Sequence, residues 1–459
     1  MALFLSLNRV GIVAALLCSL GIASALHAQT IPIFDDARSA YRILRQKSGD
    51  SLIIMTPHST LGKRMILNLG TLGGTTNRPN EDFITATTIR SLASDRATIT
   101  HRYFVTNLGT LGGTQSFAYA LNNSGHVVGF SRTAGDASGH SFLYRNGRMT
   151  DLYPFNSQSV VTVGPTDIND AGQIASGLLV GGVYTPAILD SRSGDLTLLG
   201  SLGGVTPFGF TGVATAINTL GDAVGYSYID SVNRHAFLYS RGAMTDIGSF
   251  GGYSGALSIN DEGTIVGFAS DRDNGSARAF VYSHGAMIDI DPVGFESSAN
   301  AINNRGQVVG EFLTADQSSF HAFLYSEGVF NDLGSAESPE TVAFAINDQQ
   351  QIAGTTLIPY DARCSDGPCI KYKEHAFLYE NGTLADLNAS IPSDSGWELG
   401  WAFGINNRGQ IAGYGLINDN FRAFLLTPAT NKEECKNGGW RNVGFKNQGQ
   451  CIQFVNTGR

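Results

Sequence analysis

The sequence is poor in charge, proline and cysteine. Only 15% of the 459 residues are charged, the formal net charge is −9, and no run of lysine and arginine occurs. An acidic chain without a basic patch is a poor partner for nucleic acid or for an anionic membrane surface, because both attract positive charge. The 13 prolines are too few for a Pro-rich disordered chain. The composition therefore indicates a folded, weakly charged protein.

Long apolar runs are also missing, with one exception near the start of the chain. Val10 to Ala25 is apolar and follows Arg9, which is typical of a secretory signal peptide and short for a membrane span. We expect residues 1–28 to be the signal, cleaved after Ala25 or Ala28. The sequence then predicts a secreted or periplasmic protein without a membrane span.

What the chain has in abundance is one repeated pattern. In the clearest copy, Ala301 to Gly310 predicts a strand, an Asn-x-x-Gly turn and a β-branched strand. His321 to Tyr325 and Val329 to Leu333 add two further short strands. The asparagine at the end of the first strand recurs seven times, mostly at the ~40–50-residue spacing of propeller blades: Asn122, Asn169, Asn218, Asn260, Asn303, Asn347 and Asn406.

The order of these strands predicts a closed ring. The seventh copy stops after its third strand, whereas Tyr103 to Leu108 looks like a fourth strand that precedes the first copy. Pairing these two ends would remove an open sheet edge. The sequence thus predicts an all-β, seven-bladed propeller of four-stranded blades over residues 103–427, closed by the N-terminal strand. Residues 29–102 form an extension of uncertain structure, and 428–459 form a cysteine-containing tail.

The repeats resemble those of the bacterial extracellular HAF-repeat family, which is named for its His-Ala-Phe motif. That motif stands here at 235–237, 321–323 and 375–377. The resemblance implies a secreted repeat protein and no established activity.

The repeated histidines could be metal ligands or structural hydrogen-bond donors. His140, His235, His321 and His375 open the third strand of four units, but Arg278 and Arg422 replace them in two others. Arginine cannot bind a metal at neutral pH, yet it donates hydrogen bonds as histidine does. We therefore expect each of them to donate to a fourth-strand partner in its blade: Asp151, Asp246, Asp289, Asp332, Asp386, and Asn107 in the closing strand.

Other candidates are few. Asp271 and Asp273 faintly resemble a calcium loop, one residue short of the usual spacing. Calcium is the only cofactor for which the sequence offers candidate ligands, and we expect the protein to bind no cofactor. After loss of Cys18 with the signal, four cysteines remain, and proximity predicts the disulfides Cys364–Cys369 and Cys435–Cys451.

Function is less determined than fold. Trp397 and Trp401 lie in an extended final link and are the best candidates for exposed aromatic residues of a binding site, with Glu398 and Asp394 beside them. The sequence shows no nucleophile elbow, and it favours a non-enzymatic binding module for a carbohydrate or protein at the channel mouth, near the glycine-rich links such as Gly109 to Gly113. The alternatives are a polysaccharide-acting extracellular enzyme and a purely structural surface protein.

Overall fold

The computed structural model describes residues 101–152, 160–272, 275–334, 338–364, 367–443 and 445–458, together with three short strands before them. Those strands are Arg42–Arg45, Ser51–Met55 and Ile66–Asn68, which form an antiparallel sheet in a second compact unit. The predicted signal segment, residues 1–28, lies outside the described residues.

The first unit is the predicted seven-bladed β-propeller, and the prediction of fold class is confirmed. Seven sheets of four antiparallel strands follow one another along the chain. The inner strands are Gly112–Leu121, Val160–Ile168, Gly212–Ile217, Ser254–Ile259, Ser297–Ile302, Thr341–Ile346 and Trp397–Ile405. The second strands are Val127–Thr133, Gln173–Val180, Ala223–Tyr228, Ile265–Ser270, Val308–Leu313, Ile352–Cys364 and Ile411–Ile417.

The outer half of each blade is equally regular. The third strands are Gly139–Arg145, Val183–Asp190, Arg234–Ser240, Ala277–Ser283, Phe320–Ser326, Gly367–Glu380 and Asn420–Pro428. The outer strands of blades one to six are Arg148–Asp151, Leu196–Leu198, Ala243–Gly248, Ala286–Asp289, Val329–Asp332 and Thr383–Asp386. In the seventh sheet, Tyr103–Asn107 is the fourth strand and pairs antiparallel with Asn420–Pro428.

The core lies between neighbouring blades. The phenylalanine of the repeated motif is fully buried in six blades, and Phe237, for example, packs with Ile188 and Leu199 of the preceding blade. Burying a side chain of this size contributes about 2–3 kcal/mol. The Val-Gly step in the second strand permits this packing: a Cβ on Gly310 would collide with the Ser298 carbonyl and contact the Phe323 ring.

The C-terminal tail packs against the seventh blade. It contains the helices Gly439–Asn442 and Gln448–Thr457 and the short 3₁₀ turn Lys432–Cys435. Phe104 of the outer strand is buried among Phe445, Phe454 and the disulfide Cys435–Cys451. The predicted pairing of these two cysteines is confirmed, and the tail covers one side of the outer strand.

The other predicted disulfide is only partly described. Cys369 is disulfide-bonded, whereas the side chain of Cys364, its predicted partner, lies outside the described residues. Backbone pairing places the two cysteines near the tip of one long hairpin, with Ala362 opposite Cys369 and Cys364 opposite Gly367.

Candidate functional site

A closed ring of asparagine side chains joins all seven blades. Each Asn Nδ2 donates to the backbone carbonyl oxygen of the equivalent asparagine in the next blade, at 2.8–3.2 Å. The last of these bonds runs from Asn406 back to Asn122. The Oδ1 of Asn303 accepts from the backbone N–H groups of Arg305 and Gln307 in its own turn. All seven asparagines are buried, so this ring serves the fold and offers no free groups to a ligand.

The histidines of four blades contact the expected aspartates. His140 Nδ1 lies 2.7 Å from Asp151 Oδ2, and the corresponding atoms of His375 and Asp386 are also 2.7 Å apart. His235–Asp246 and His321–Asp332 have distances of 2.9 and 3.0 Å. Arg278 Nη1 lies 2.6 Å from Asp289 Oδ2, in the place of a histidine. The structural role assigned to these pairs stays an interpretation.

These aspartates also hold the link to the next blade. Asp246 Oδ1 accepts from Gly248 N, and Asp332 Oδ1 accepts from Gly334 N. Asn107 Oδ1 does the same for Gly109 N. The expected Arg422–Asn107 bond is not among those of the described residues, because Arg422 Nη1 donates to the Phe421 carbonyl instead. Accepting a hydrogen bond from the backbone N–H two residues later requires only a side-chain oxygen, and Asn107 supplies one without a cationic partner.

The regular pattern is broken where blades six and seven meet. The second and third strands of blade six run for 13 and 14 residues, against six and seven in blade five. The inner strand of blade seven has nine residues, against six in each of blades three to six; those of blades one and two have ten and nine. The two extensions touch: Lys373 Nζ lies 3.1 Å from Glu398 Oε1, and Trp401 Nε1 donates to Glu374 Oε2 at 2.8 Å.

The two predicted tryptophans lie on opposite sides of their strand. A β-bulge falls between Leu399 and Trp401, and one inserted residue reverses the alternation of side chains. Trp397 therefore stays on the side of Leu399 and packs edge-on against Phe424 in the core. Trp401 is turned away from that core and is half-buried. Both tryptophans are partly buried, and of the two Trp401 is the one that contacts the blade-six extension, through Glu374.

Trp401 belongs to a group of aromatic rings on blades six, seven and one. Its ring lies nearly parallel to those of Phe344, Phe403 and Tyr414, with centroids 5.6–6.0 Å apart. Tyr119 of blade one lies edge-on to Phe403. Thr166 and Thr215 occupy the inner-strand position of Phe344 in blades two and three, and there they hydrogen-bond to the next blade. At this inner-strand position the rings occur in blades six, seven and one, and we call the group they form with Trp401 and Tyr414 the aromatic sector.

Carboxylates border the aromatic sector. Burial raises the pKa of Glu340, and the negative charge of Glu374 raises it further. Burial likewise raises the pKa of Tyr414, again with a contribution from Glu374. Glu374 therefore acts on both groups and adds negative charge beside the aromatic rings. Glu340 and Glu374 were not predicted; the only sequence signal was their position beside the long insertion.

Asp394 lies apart from this sector. Its carboxylate is exposed and approaches Lys446 Nζ of the tail at 3.7 Å. The calcium hypothesis finds no support in the described part of the chain, where no group of three or more potential metal ligands occurs. Asp271 lies 4.0 Å from Arg278, and Asp273 is outside the described residues, so that site stays a prediction.

Several solved structures are similar to this chain. The chain is similar to TolB from Acinetobacter baumannii, with 13% identity over 84% of this chain and 78% of that one, and a TM-score of 0.37. It is also similar to a Mycobacterium tuberculosis puromycin-hydrolyzing peptidase, with 13% identity over 70% of this chain and a TM-score of 0.45. The match spans 52% of the peptidase, about half its length.

A third similar structure is an oligogalacturonate lyase from Vibrio parahaemolyticus, with 9% identity over 70% of this chain and 93% of that one, and a TM-score of 0.38. Likenesses at this level concern the fold alone. No family model matches the chain, and no curated protein matches it. Its membership of the HAF-repeat family therefore stays a prediction.

Proposed function

We propose that this protein is an extracellular binding module whose ligand contacts the aromatic sector and the carboxylates around it. The observation that carries the proposal is the meeting of two insertions, which places Trp401, Glu374 and Glu398 together at one point of an otherwise repetitive ring. Aromatic rings with a few convergent polar groups are the usual composition of a ligand site. The ligand is a carbohydrate or a protein segment.

The compartment fits this proposal. The Cys435–Cys451 disulfide is of a kind that persists in oxidising surroundings outside the cytoplasm. Within the described residues, neither helix of the tail has the length and apolar character needed to cross a bilayer. The predicted signal peptide would direct the chain to that compartment.

The proposal is tested with the Trp401→Ala variant of the full chain on arrays of oligosaccharides and peptides. Loss of a stacking ring should weaken binding at least about 10-fold, since aromatic contacts contribute about 1 kcal/mol or more beyond buried area. Phe208→Ala is the matched control, because Phe208 is an aromatic residue 89% exposed in the link between blades two and three. Equal binding by wild type and Trp401→Ala would contradict the proposal.

A second candidate function is hydrolysis of polysaccharide. Burial, and after it the nearby Glu374, raise the pKa of Glu340, and a carboxyl group of raised pKa near a second carboxyl group is the combination used in glycoside hydrolysis. Wild-type protein should release no reducing sugar from a polysaccharide panel if binding is the whole function. Release that Glu340→Gln abolishes, and that the exposed control Glu262→Gln retains, would establish the enzyme instead.

A further inference from the structure

His375 differs from the other histidines of the repeat in its second ring nitrogen. Its Nδ1 is bound to Asp386, and because a carboxylate only accepts, the neutral ring presents Nε2 as an acceptor. Nε2 is buried and has no hydrogen-bond partner among the described residues. The whole residue is 8% exposed. In blade one, by contrast, His140 Nε2 lies 3.2 Å from Ser138 Oγ.

The nearest charged group to this nitrogen comes from the next blade. Glu398 Oε1 lies 3.9 Å from His375 Nε2, too far for a hydrogen bond. In the neutral ring Nε2 is therefore an acceptor without a donor, and the carboxylate it faces accepts from Lys373 Nζ. An unsatisfied buried acceptor costs about 1–3 kcal/mol, so this arrangement favours a ligand that brings donors. The Glu398 side chain is 43% exposed and can move, whereas Asp386 holds the imidazole in place.

The charged groups around His375 favour a positively charged ligand. Glu340, Glu374 and Glu398 supply three carboxyl groups, and Lys373 is the cation paired with one of them. A cation would relieve the repulsion that raises the pKa of Glu340. Trp401 adds an aromatic ring of the type that attracts ammonium groups.

We infer that this site takes a protonated primary amine, placed where His375 Nε2 and the Glu398 carboxylate both accept from it, while Glu374, the preceding residue of the strand, contributes negative charge only. The inference rests on the proposed function and names the chemistry of its ligand. The amine belongs to a lysine side chain of a partner protein or to a polyamine, since both present the same group.

Binding of hexalysine and of spermine to the full chain is measured by calorimetry at about 0.15 M salt. Hexaglutamate and a neutral cello-oligosaccharide serve as comparison probes. We expect the amines to bind and the comparison probes not to bind. Tighter binding of hexalysine identifies a protein segment as the source, and tighter binding of spermine identifies a polyamine.

Three substitutions separate this site from the general acidity of the protein. His375→Asn keeps a donor near the position of Nδ1 for Asp386 and removes Nε2, and His235→Asn makes the same change in blade three. Glu374→Gln and Glu398→Gln each remove one charge at the site, as Glu262→Gln does on an exposed turn. We expect the site variants to weaken amine binding about 10-fold or more, and the controls less than 2-fold.

The outcomes distinguish this inference from the proposed function. If the amines bind equally to site and control variants, the attraction is general and the inference is wrong. If amines fail to bind while another probe binds in a manner that needs Trp401, the inference is wrong and the binding module stands. If no probe needs Trp401, both are wrong.

Discussion

The two ends of the inner strands differ in how closely the seven blades repeat one another. At one end, seven asparagines form the same buried hydrogen bonds in every blade, and the ring closes from Asn406 to Asn122. At the other end, blade six departs from the repeat in the length of its second and third strands, and blades six and seven together depart from it in aromatic content and in charge. Repetition is found where each group is satisfied by the next blade. Departure is found where we propose that a ligand binds.

The largest expected effect on stability comes from removing one asparagine of the ring that joins the blades. Asn303→Ala removes the buried bond to the Asn347 carbonyl and leaves the partly buried N–H groups of Arg305 and Gln307 without their acceptor. We expect a loss of about 2–4 kcal/mol in the free energy of unfolding, at about 1–3 kcal/mol per unsatisfied group. Denaturant unfolding provides the measurement.

Two further variants sharpen this test. Asn303→Asp has the same shape but turns an acceptor toward the Asn347 carbonyl, so it should be at least as destabilising. Asn331→Ala is the control, because Asn331 is exposed and its bond to Leu324 is 3.3 Å long. If Asn303→Ala is as stable as Asn331→Ala, the ring of asparagines does not hold the blades together.

A smaller effect on stability is expected at Asp167, which in blade two replaces a residue of the repeat two positions before the ring asparagine. Alanine holds this position in blades one, three, five and six. The Asp167 carboxylate accepts from Ile217 N and Ile168 N, but burial raises its pKa to about 6. The folded state therefore binds a proton more tightly than the unfolded state, whose carboxyl has a pKa of about 3.9.

The sign of the pH effect follows from that order. As pH falls from 7 to about 4.5, wild type should gain stability relative to Asp167→Ala, because the folded state takes up the proton first. The gain amounts to about 2 kcal/mol. Unfolding of both proteins across this pH range measures it, and a constant difference between them would show that Asp167 does not titrate near 6.

The smallest effect on stability is expected at the mouth. Glu374→Gln removes the charge that raises the pKa values of Glu340 and Tyr414, while its amide oxygen still accepts from Trp401 Nε1. Relief of repulsion and weakening of that bond oppose each other, so the free energy of unfolding should change by less than about 0.5 kcal/mol. A loss near that of Asn303→Ala would mean that the mouth, too, is needed for the fold.

Much of this architecture could be predicted from the sequence, because each blade is a local object. The Asn-x-x-Gly turns, the short apolar strands and the His and Asp positions lie within one repeat, so the contact of His321 with Asp332 follows from strand pairing in one blade. The asparagines were read as turn residues, and their bonds across blades were missed. Those bonds depend on how neighbouring blades approach, which no single repeat specifies.

The sequence by itself determined the number of blades, the four-strand unit and the region in which to look for a site. The tertiary structure alone decided which residues share that site. A single bulge turns Trp397 toward the core and Trp401 toward the aromatic sector, and Glu374 and Glu398 come from different blades. The reason is physical: hydrogen-bonded turns and strands depend on neighbours in sequence, whereas a site depends on distances that only packing between blades sets.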